Sequence, residues 1–420
     1  MIDSLTNFGK KIIPKSIFEF FQPMYHWFLA CGAALWYGFP SRKLYMIGVT
    51  GTNGKSTVVD LLHAILSEAG ESVASASSIR FRINNKEETN TLKMTMPGRF
   101  KMQKFLHDAV RERCKYTILE VTSEGIKQFR HKGIRFSLAV LTNVTPEHIE
   151  SHGSFEEYRA TKAKLFYHTP NHILNGDDAN ITYFLNIPAK NRIIYTKSDF
   201  PPDWKSKLLG DFNKENIVAA YQAARLLGIN PEKIKLAVEK FNGVPGRLEF
   251  IQHEPFTVVV DYAHTPDALE KVYKTLRSTY LVTKSLSNTN DMISGRLICV
   301  LGAAGGGRDK WKRPEMGKIA AIYCDEIILT NEDSYDEDPL SIIKEIESGF
   351  SQLPTTNYQL STILDRKEAI AKAIASTKTG DVVIITGKGC EPWLMGPNGT
   401  KTAWDDRKIA RDVLKYIIKS

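Results

Sequence analysis

From Tyr45 to about Gly243, short apolar runs alternate with helical patterns, and a second alternating block follows the Gly/Pro-rich stretch Gly243-Val244-Pro245-Gly246-Arg247. In the first block YMIGVT, CKYTILEVT, FSLAVLTNV, NHILNG and NRIIYT are predicted strands; in the second, FTVVVDYA, RLICVLGAA, EIILTNE and DVVIITGKG. Strands that alternate with helices imply parallel sheets with helices packed on their faces. The expected architecture is therefore α/β. An aromatic-rich helical segment spans 1–44, a P-loop-type, mostly parallel central sheet domain spans 45–244, and a smaller Rossmann-like α/β C-terminal domain spans 245–420. The Ser/Thr/Asn-rich stretch 283–296 reads as an exposed loop, and no internal repeat is present.

The first strand carries the sharpest chemistry. YMIGVTGTNGKST, Tyr45 to Thr57, runs from an apolar strand through a glycine-rich turn into the helical pattern VVDLLHAILSEAG. Gly51 and Gly54 let backbone N–H groups face phosphate oxygens, Lys55 supplies a cation at the β/γ-phosphates, and Ser56 can hold Mg²⁺, with Thr52, Asn53 and Thr57 completing the loop. The strict pattern wants glycine at 49. Val49 stands there between Gly48 and Gly51, so this is a variant of the general loop.

At 420 residues, 42% hydrophobic and 25% charged, the composition is that of a folded chain of about two to three domains. Its net charge of +9 is spread along the chain, which suits small polyanionic substrates and gives no nucleic-acid footprint. Five scattered cysteines without a C-x-x-C pair read as reduced thiols and no zinc site. Near the N-terminus, Lys10, Lys11 and Lys15 precede SIFEFFQPMYHWFLACGAALWYGF. Glu19, Gln22, Pro23 and His26 break that run below the roughly 20 residues of a membrane span. A helix packed on the body is expected, with a peripheral membrane contact through residues 16–39 as the alternative, and use of ATP places the chain in the cytoplasm.

Glu120 ends an apolar strand in EVTSEG, and His148 follows the next strand in TNVTPEHIE. Both reach the sheet edge that holds the phosphate loop. Oxygen ligands suit a hard cation, so Glu120 with Ser56 fits a Mg²⁺ set and His148 a second ion. Taken singly, Glu120 fits a strand-end cap equally well, and His148 a structural histidine.

Together, GVTGTNGKST, EVTSEG, TNVTPEHIESHGSFEEYRATKAKLF, GDFNKENIVAA, VPGRLE, DYAHTPDALE, LGAAGGGRDKWKRPEMG, TGKGCEP and WDDRKIARDVL resemble, in order, the Mur ligase family of ATP-dependent amide-bond ligases in peptidoglycan precursor synthesis. DYAHTPDAL, GRDKWKRP and GKGxE are most similar to the MurE-type. The resemblance implies a catalytic set of Lys55, Glu120, His148 and Lys162, with Lys162 carbamylated into a carboxylate-like ligand beside two Mg²⁺ ions. It implies nucleotide contacts from Asn213, Asn216, Arg247, Asp261 and His264. It further implies substrate contacts from Thr95, Ser123, Arg308, Asp333, Tyr335, Gly387 and Glu391, with Lys312 and Arg313 adding charge. A muramoyl-peptide acceptor and a free amino acid are the implied partners.

Two departures bear on the substrate. The short aromatic-rich segment stands where a MurE-type UDP-binding domain is expected, which leaves the acceptor open between a UDP-linked and a lipid-linked form. Where diaminopimelate-adding relatives carry Asp-Asn-Pro-Arg, this chain has Glu332-Asp333-Ser334-Tyr335, followed by Asp336, Glu337 and Asp338. A pocket for lysine or ornithine is expected from that acidic run, with a solvated loop as the alternative. The rival readings are a poly-glutamyl or cyanophycin-type ligase and a MurT-like amidotransferase subunit; the first is disfavoured by DYAHTPDAL and the second by the lack of a four-cysteine cluster.

Overall fold

Runs of aliphatic and β-branched residues that are buried on both faces build the centre of the first sheet, as parallel strands flanked by helices require. The computed structural model describes residues 15–92, 94–281, 295–352 and 358–417. The loop expected at 283–296 lies outside them except for its last two residues. Two units result: Met1–Val144, Arg159–Pro201 and Glu215–Val238 form the first, and Thr145–Tyr158, Pro202–Lys214 and Glu239–Ser420 the second.

The first unit holds eight strands: β1 Tyr45–Thr50, β2 Val73–Ala76, β3 Arg80–Ile83, β4 Lys86–Thr89, β5 Tyr116–Glu120, β6 Leu138–Leu141, β7 Asn171–Asn175 and β8 Asn191–Tyr195. Their order is β4-β3-β2-β5-β1-β6-β7-β8. All neighbours are parallel except along the β2-β3-β4 meander. Central β1 pairs with β5 and β6, with Val49 opposite Glu120 and Thr50 opposite Leu141, so three strand ends meet where the phosphate loop begins. The helix Lys15–Trp36 belongs to this unit and buries Ala30, Ala33 and Ala34 against the body, as expected of a packed helix. Among the described residues no helix is long and apolar enough to cross a membrane.

The second unit holds β9 Glu249–Gln252, β10 Thr257–Val260, β11 Leu297–Leu301, β12 Glu326–Leu329, β13 Gln359–Thr362 and β14 Val382–Ile385, in the order β13-β12-β11-β14-β10-β9. Within this six-stranded sheet only β9 is antiparallel to its neighbour, and a separate antiparallel pair, Trp393–Met395 with Lys401–Ala403, follows it in the chain. Alternate residues face opposite sides. Val259, Cys299, Leu301 and Leu329 meet the helices Pro266–Leu276, Lys312–Tyr323 and Pro339–Glu347, while Val258, Val260, Ile298 and Val300 meet Arg366–Ala375 and Asp406–Ile417. Each sheet ends on one side in a strand whose residues are all exposed: Lys86–Thr89 in β4 and Gln359–Thr362 in β13.

Two features of this unit lay outside the sequence reading. Cys299 and Cys324 form a disulfide, which corrects the expectation of five reduced thiols. Cys324 stands just before β12, the strand beside Cys299 on β11, so both sulfurs enter one buried layer. Arg366 and Asp406 form a fully buried bidentate pair at 2.9 and 2.7 Å, closed by Thr386 O and the Trp404 indole N–H. Removing one partner leaves the other charge buried alone, which costs about 3–5 kcal/mol. Arg366→Ala is expected to lower unfolding stability by that amount in urea titrations, whereas replacing both residues with apolar ones of similar size should recover most of it.

Candidate active site

Gly51 and Gly54 both adopt positive φ, +150° and +83°, and both are closely approached. A Cβ on Gly51 would lie 1.9 Å from Thr142 Oγ1, and one on Gly54 2.2 Å from Asn216 Oδ1. Only glycine fits at either place. The turn is held from β6: Asn53 N–H donates to Asn143 Oδ1 at 2.9 Å, and Thr142 Oγ1 to Asn53 O at 2.6 Å. The helix Lys55–Glu68 then starts with no side-chain cap and no acidic residue in its first turn. Its open N–H groups and positive dipole end suit phosphate.

Lys55 Nζ donates to Thr52 O at 2.7 Å and lies 4.0 Å from Glu120 Oε1. Glu120 is buried at the end of β5, and its Oε2 accepts Ser56 Oγ and the Ser78 N–H, both at 2.9 Å. Ser78 Oγ lies 3.0 Å from Ser56 Oγ. Carboxylate and hydroxyl oxygens beside a phosphate cradle fit Mg²⁺, which keeps most of its shell for water and phosphate. No group of three or more His, Cys, Asp or Glu that could cage a metal occurs among the described residues. Lys162, at the end of the helix Phe155–Ala163, is buried and donates from Nζ to Gly51 O at 2.7 Å.

In the second unit, buried Asp261 accepts the N–H groups of Leu248 and Ala263 at 2.5 and 2.6 Å. Burial raises its carboxyl pKa, against the opposing charge of Arg247 and these two bonds. Arg247 stacks 3.9 Å over the Tyr262 ring, a cation–π contact that fixes the guanidinium. His264 bonds through Nδ1 to Tyr262 O at 2.8 Å and through Nε2 to Glu147 Oε1 at 3.2 Å. His148, in the left-handed conformation at φ 56°, also belongs to this unit, with Nε2 3.9 Å from Glu147 Oε2. Burial favours the neutral form of Glu147, but His148, His264 and Lys312 hold its pKa well below the usual carboxylate range.

Lys388 is fully buried between Asp333 Oδ1, at 2.9 Å, and Glu391 Oε2. Burial opposes its charge, yet Glu391, Asp333 and Glu332 raise its pKa. Tyr262 Oη donates to Glu391 Oε1 at 2.9 Å. Gly387 lies against Glu332: a Cβ there would fall 2.2 Å from Oε2, an atom without a hydrogen-bond partner among the described residues. The acidic run expected to face an incoming amine is engaged elsewhere. Asp333 also accepts Met395 N–H, Asp336 accepts Asn398 N–H, Glu337 pairs with Arg313 at 3.0 Å and Lys310 at 3.3 Å, and Asp338 caps the helix Pro339–Glu347. These acids thus satisfy donors of their own unit. Arg313 is fully buried in pairs with Glu337 and Glu345 and presents no charge to a ligand. Burial lowers the Lys312 pKa against Glu147 and Glu332. Arg308 sits beside the phenols of Tyr262 and Tyr335.

The first unit thus brings together Gly51, Thr52, Asn53, Gly54, Lys55, Ser56, Thr57, Glu120, Lys162 and Asn216. The second gathers Arg247, Asp261, His264, His148, Arg308, Asp333, Tyr335, Gly387 and Glu391. Asn213 in the second unit donates to Leu209 O at 2.8 Å. Thr95 is half-buried in the bend before the helix Arg99–Arg111, and buried Ser123 opens the short helix Ser123–Lys127. Sequence reasoning missed Ser78, Thr142, Asn143, Glu147 and Lys388. Thr142, Asn143 and Glu147 had a signal, since they stand in the strand-end motif that supplies His148.

Among known proteins, the family models that match are the Mur ligase middle domain, over residues 49–200, and the Mur ligase, glutamate ligase domain, over 246–389. The chain is 35% identical over 421 residues to the UDP-N-acetylmuramoyl-L-alanyl-D-glutamate–2,6-diaminopimelate ligase of Syntrophomonas wolfei subsp. wolfei, covering 93% of this chain and 82% of the relative. It is also 35% identical to that of Aquifex aeolicus, covering 90% and 79%. A solved structure of a ligase of that name superposes with a TM-score of 0.58 at 30% identity, covering 90% of this chain and 79% of the other. On the matched domains and this identity along nearly its whole length, the chain belongs to the Mur ligase family.

Proposed function

We propose that the chain is an ATP-dependent ligase that joins an amino acid to the carboxylate of a muramoyl-peptide in peptidoglycan precursor synthesis. The observation that carries this reading is the glycine turn with Lys55, Ser56 and Glu120 at its mouth. The acceptor carboxylate oxygen attacks the γ-phosphorus and ADP leaves. The amine of the amino acid then attacks the acyl phosphate carbon, inorganic phosphate leaves and a proton is lost. Lys55 and the first turn of the helix Lys55–Glu68 hold the β/γ-phosphates and stabilise charge that grows as the bond to ADP breaks. Bound Mg²⁺ would neutralise phosphate charge, held by Ser56 and Glu120, and carbamylated Lys162 would supply an anionic oxygen ligand to a second ion. Arg247, Asp261 and His264 form the nucleotide-contacting set of the second unit. The test is phosphate release coupled to formation of a muramoyl-tripeptide, with the UDP-linked dipeptide as acceptor. ATP turnover without any peptide product would overturn the reading.

For the amino acid we propose meso-diaminopimelate, as in the names of the relatives, with Arg308 binding its distal carboxylate. Support comes from the placing of Arg308 beside Tyr335, which stands where diaminopimelate-adding relatives carry arginine, and from the local pairing of the nearby acids. A charge-assisted contact of this kind is worth about 1.5–3 kcal/mol. Arg308→Ala should therefore lower kcat/KM for diaminopimelate by about tenfold to a hundredfold, with little change for lysine. Equal losses for both amino acids would assign Arg308 to a different role.

A further inference from the structure

The helix Lys15–Trp36 is inverted relative to what burial favours. Its small residues Ala30, Ala33 and Ala34 face the protein, while its large ones face outward. Met24, Phe28 and Leu35 are 52%, 61% and 68% exposed, and with half-buried Cys31 they recur at intervals of four, three and four residues, which is one stripe along a helix. Trp27 and Trp36 flank the stripe at 45% and 78% exposure. A Cβ on Gly133 would lie 2.8 Å from Ala34 Cβ, so the inner face is seated closely and cannot roll to bury the aromatics. From Met24 to Trp36 the chain has no Asp, Glu, Lys or Arg, and His26 is its one titratable ring.

Cations follow at once. Arg42 and Lys43 are exposed immediately after the helix. Arg42 lines an open cavity of about 580 Å³ with Arg135, His168 and Lys190, and no carboxylate lines it. An apolar, tryptophan-flanked stripe followed in the chain by a concavity whose charged lining residues, Arg42, Arg135 and Lys190, are all cations matches one occupant: an anionic bilayer surface, where apolar side chains enter the acyl boundary and cations meet lipid phosphates. The geometry points to this helix as a peripheral membrane contact, one that lies on the bilayer and does not cross it.

The test is co-sedimentation of the purified full chain with vesicles of phosphatidylcholine alone or of phosphatidylcholine and phosphatidylglycerol at about 3:1. Binding at least tenfold stronger to the anionic vesicles is expected, weakening with salt, with a blue shift of tryptophan emission. Phe28→Ser with Leu35→Ser should abolish it at an unchanged circular dichroism spectrum, and Arg42→Glu should reduce it to the level of neutral vesicles. Absence of binding to both vesicles, or variants that bind like the parent, would overturn the proposal. A concentration-dependent dimer that the double serine variant dissolves, without vesicle binding, would overturn it too and assign the stripe to a second copy of the chain.

Discussion

Lys55→Ala is expected to reduce ATP turnover on the order of 10²–10³-fold while leaving the protein folded. The side chain donates one hydrogen bond, to Thr52 O, and its ammonium lies 4.0 Å from Glu120, so the folded state loses little when it is truncated. The loss falls on the transition state, where charge shifts toward the leaving phosphate oxygen and one fixed cation in a partly buried site acts strongly. Phosphate release at saturating ATP and a urea unfolding curve separate the two effects. A folded variant that retains more than about a tenth of the parent rate would show that the helix N-terminus and metal suffice, and the assignment of Lys55 would fail.

Lys162→Ala should also be severely impaired, for a different reason, and short carboxylates such as acetate should restore part of its activity. Carbamylation joins the neutral amine to CO₂ with loss of a proton and turns a cation into an anionic oxygen ligand. The carbamate nitrogen keeps one N–H, so the bond from Nζ to Gly51 O survives the modification. Alanine removes that donor from a buried carbonyl as well, at a cost of about 1–3 kcal/mol in stability. Lys162→Glu offers a control, since it returns a carboxylate without the amine. A carbon-13 carbamate resonance in labelled bicarbonate reads the modification without reference to activity. Its absence, together with an active alanine variant, would remove Lys162 from the catalytic set.

How much of this was legible in the chain depended on whether the cause was local. β1, β5, β6, β11 and β14 are buried on both faces, and a continuous apolar run announces such strands. The β2-β3-β4 meander was missed because VASA, RFRI and KEET carry no such run. What orders part of it is Asp60, which draws Arg80 and Arg82 at 2.6 Å from 20 and 22 residues away. The site divides the same way. Glycines at forced turns and a lysine beside them are local chemistry, so the phosphate loop could be read directly. The acidic run after β12 finds partners, Lys388 and Arg313, in distant segments, and charge alone does not tell a ligand pocket from a set of internal pairs.

The exposed outer strands bear on how the protein behaves at high concentration. An open strand offers a row of unpaired N–H and C=O groups on which another chain can add. β4 carries Lys86, Glu87 and Glu88 in consecutive positions and ties Glu87 to Arg80 at 3.0 Å, while β13 presents Gln359, Ser361 and Thr362. A strand docking on β4 would have to strip water from those charges. At the opposite border of the second sheet, β9 is bound by the helix Asp406–Ile417 through Arg407 and Arg411 to Glu249. On these two borders, charge on β4 and a covering helix on β9 oppose the edge-to-edge pairing through which valine- and isoleucine-rich sheets seed fibrils or amorphous precipitate.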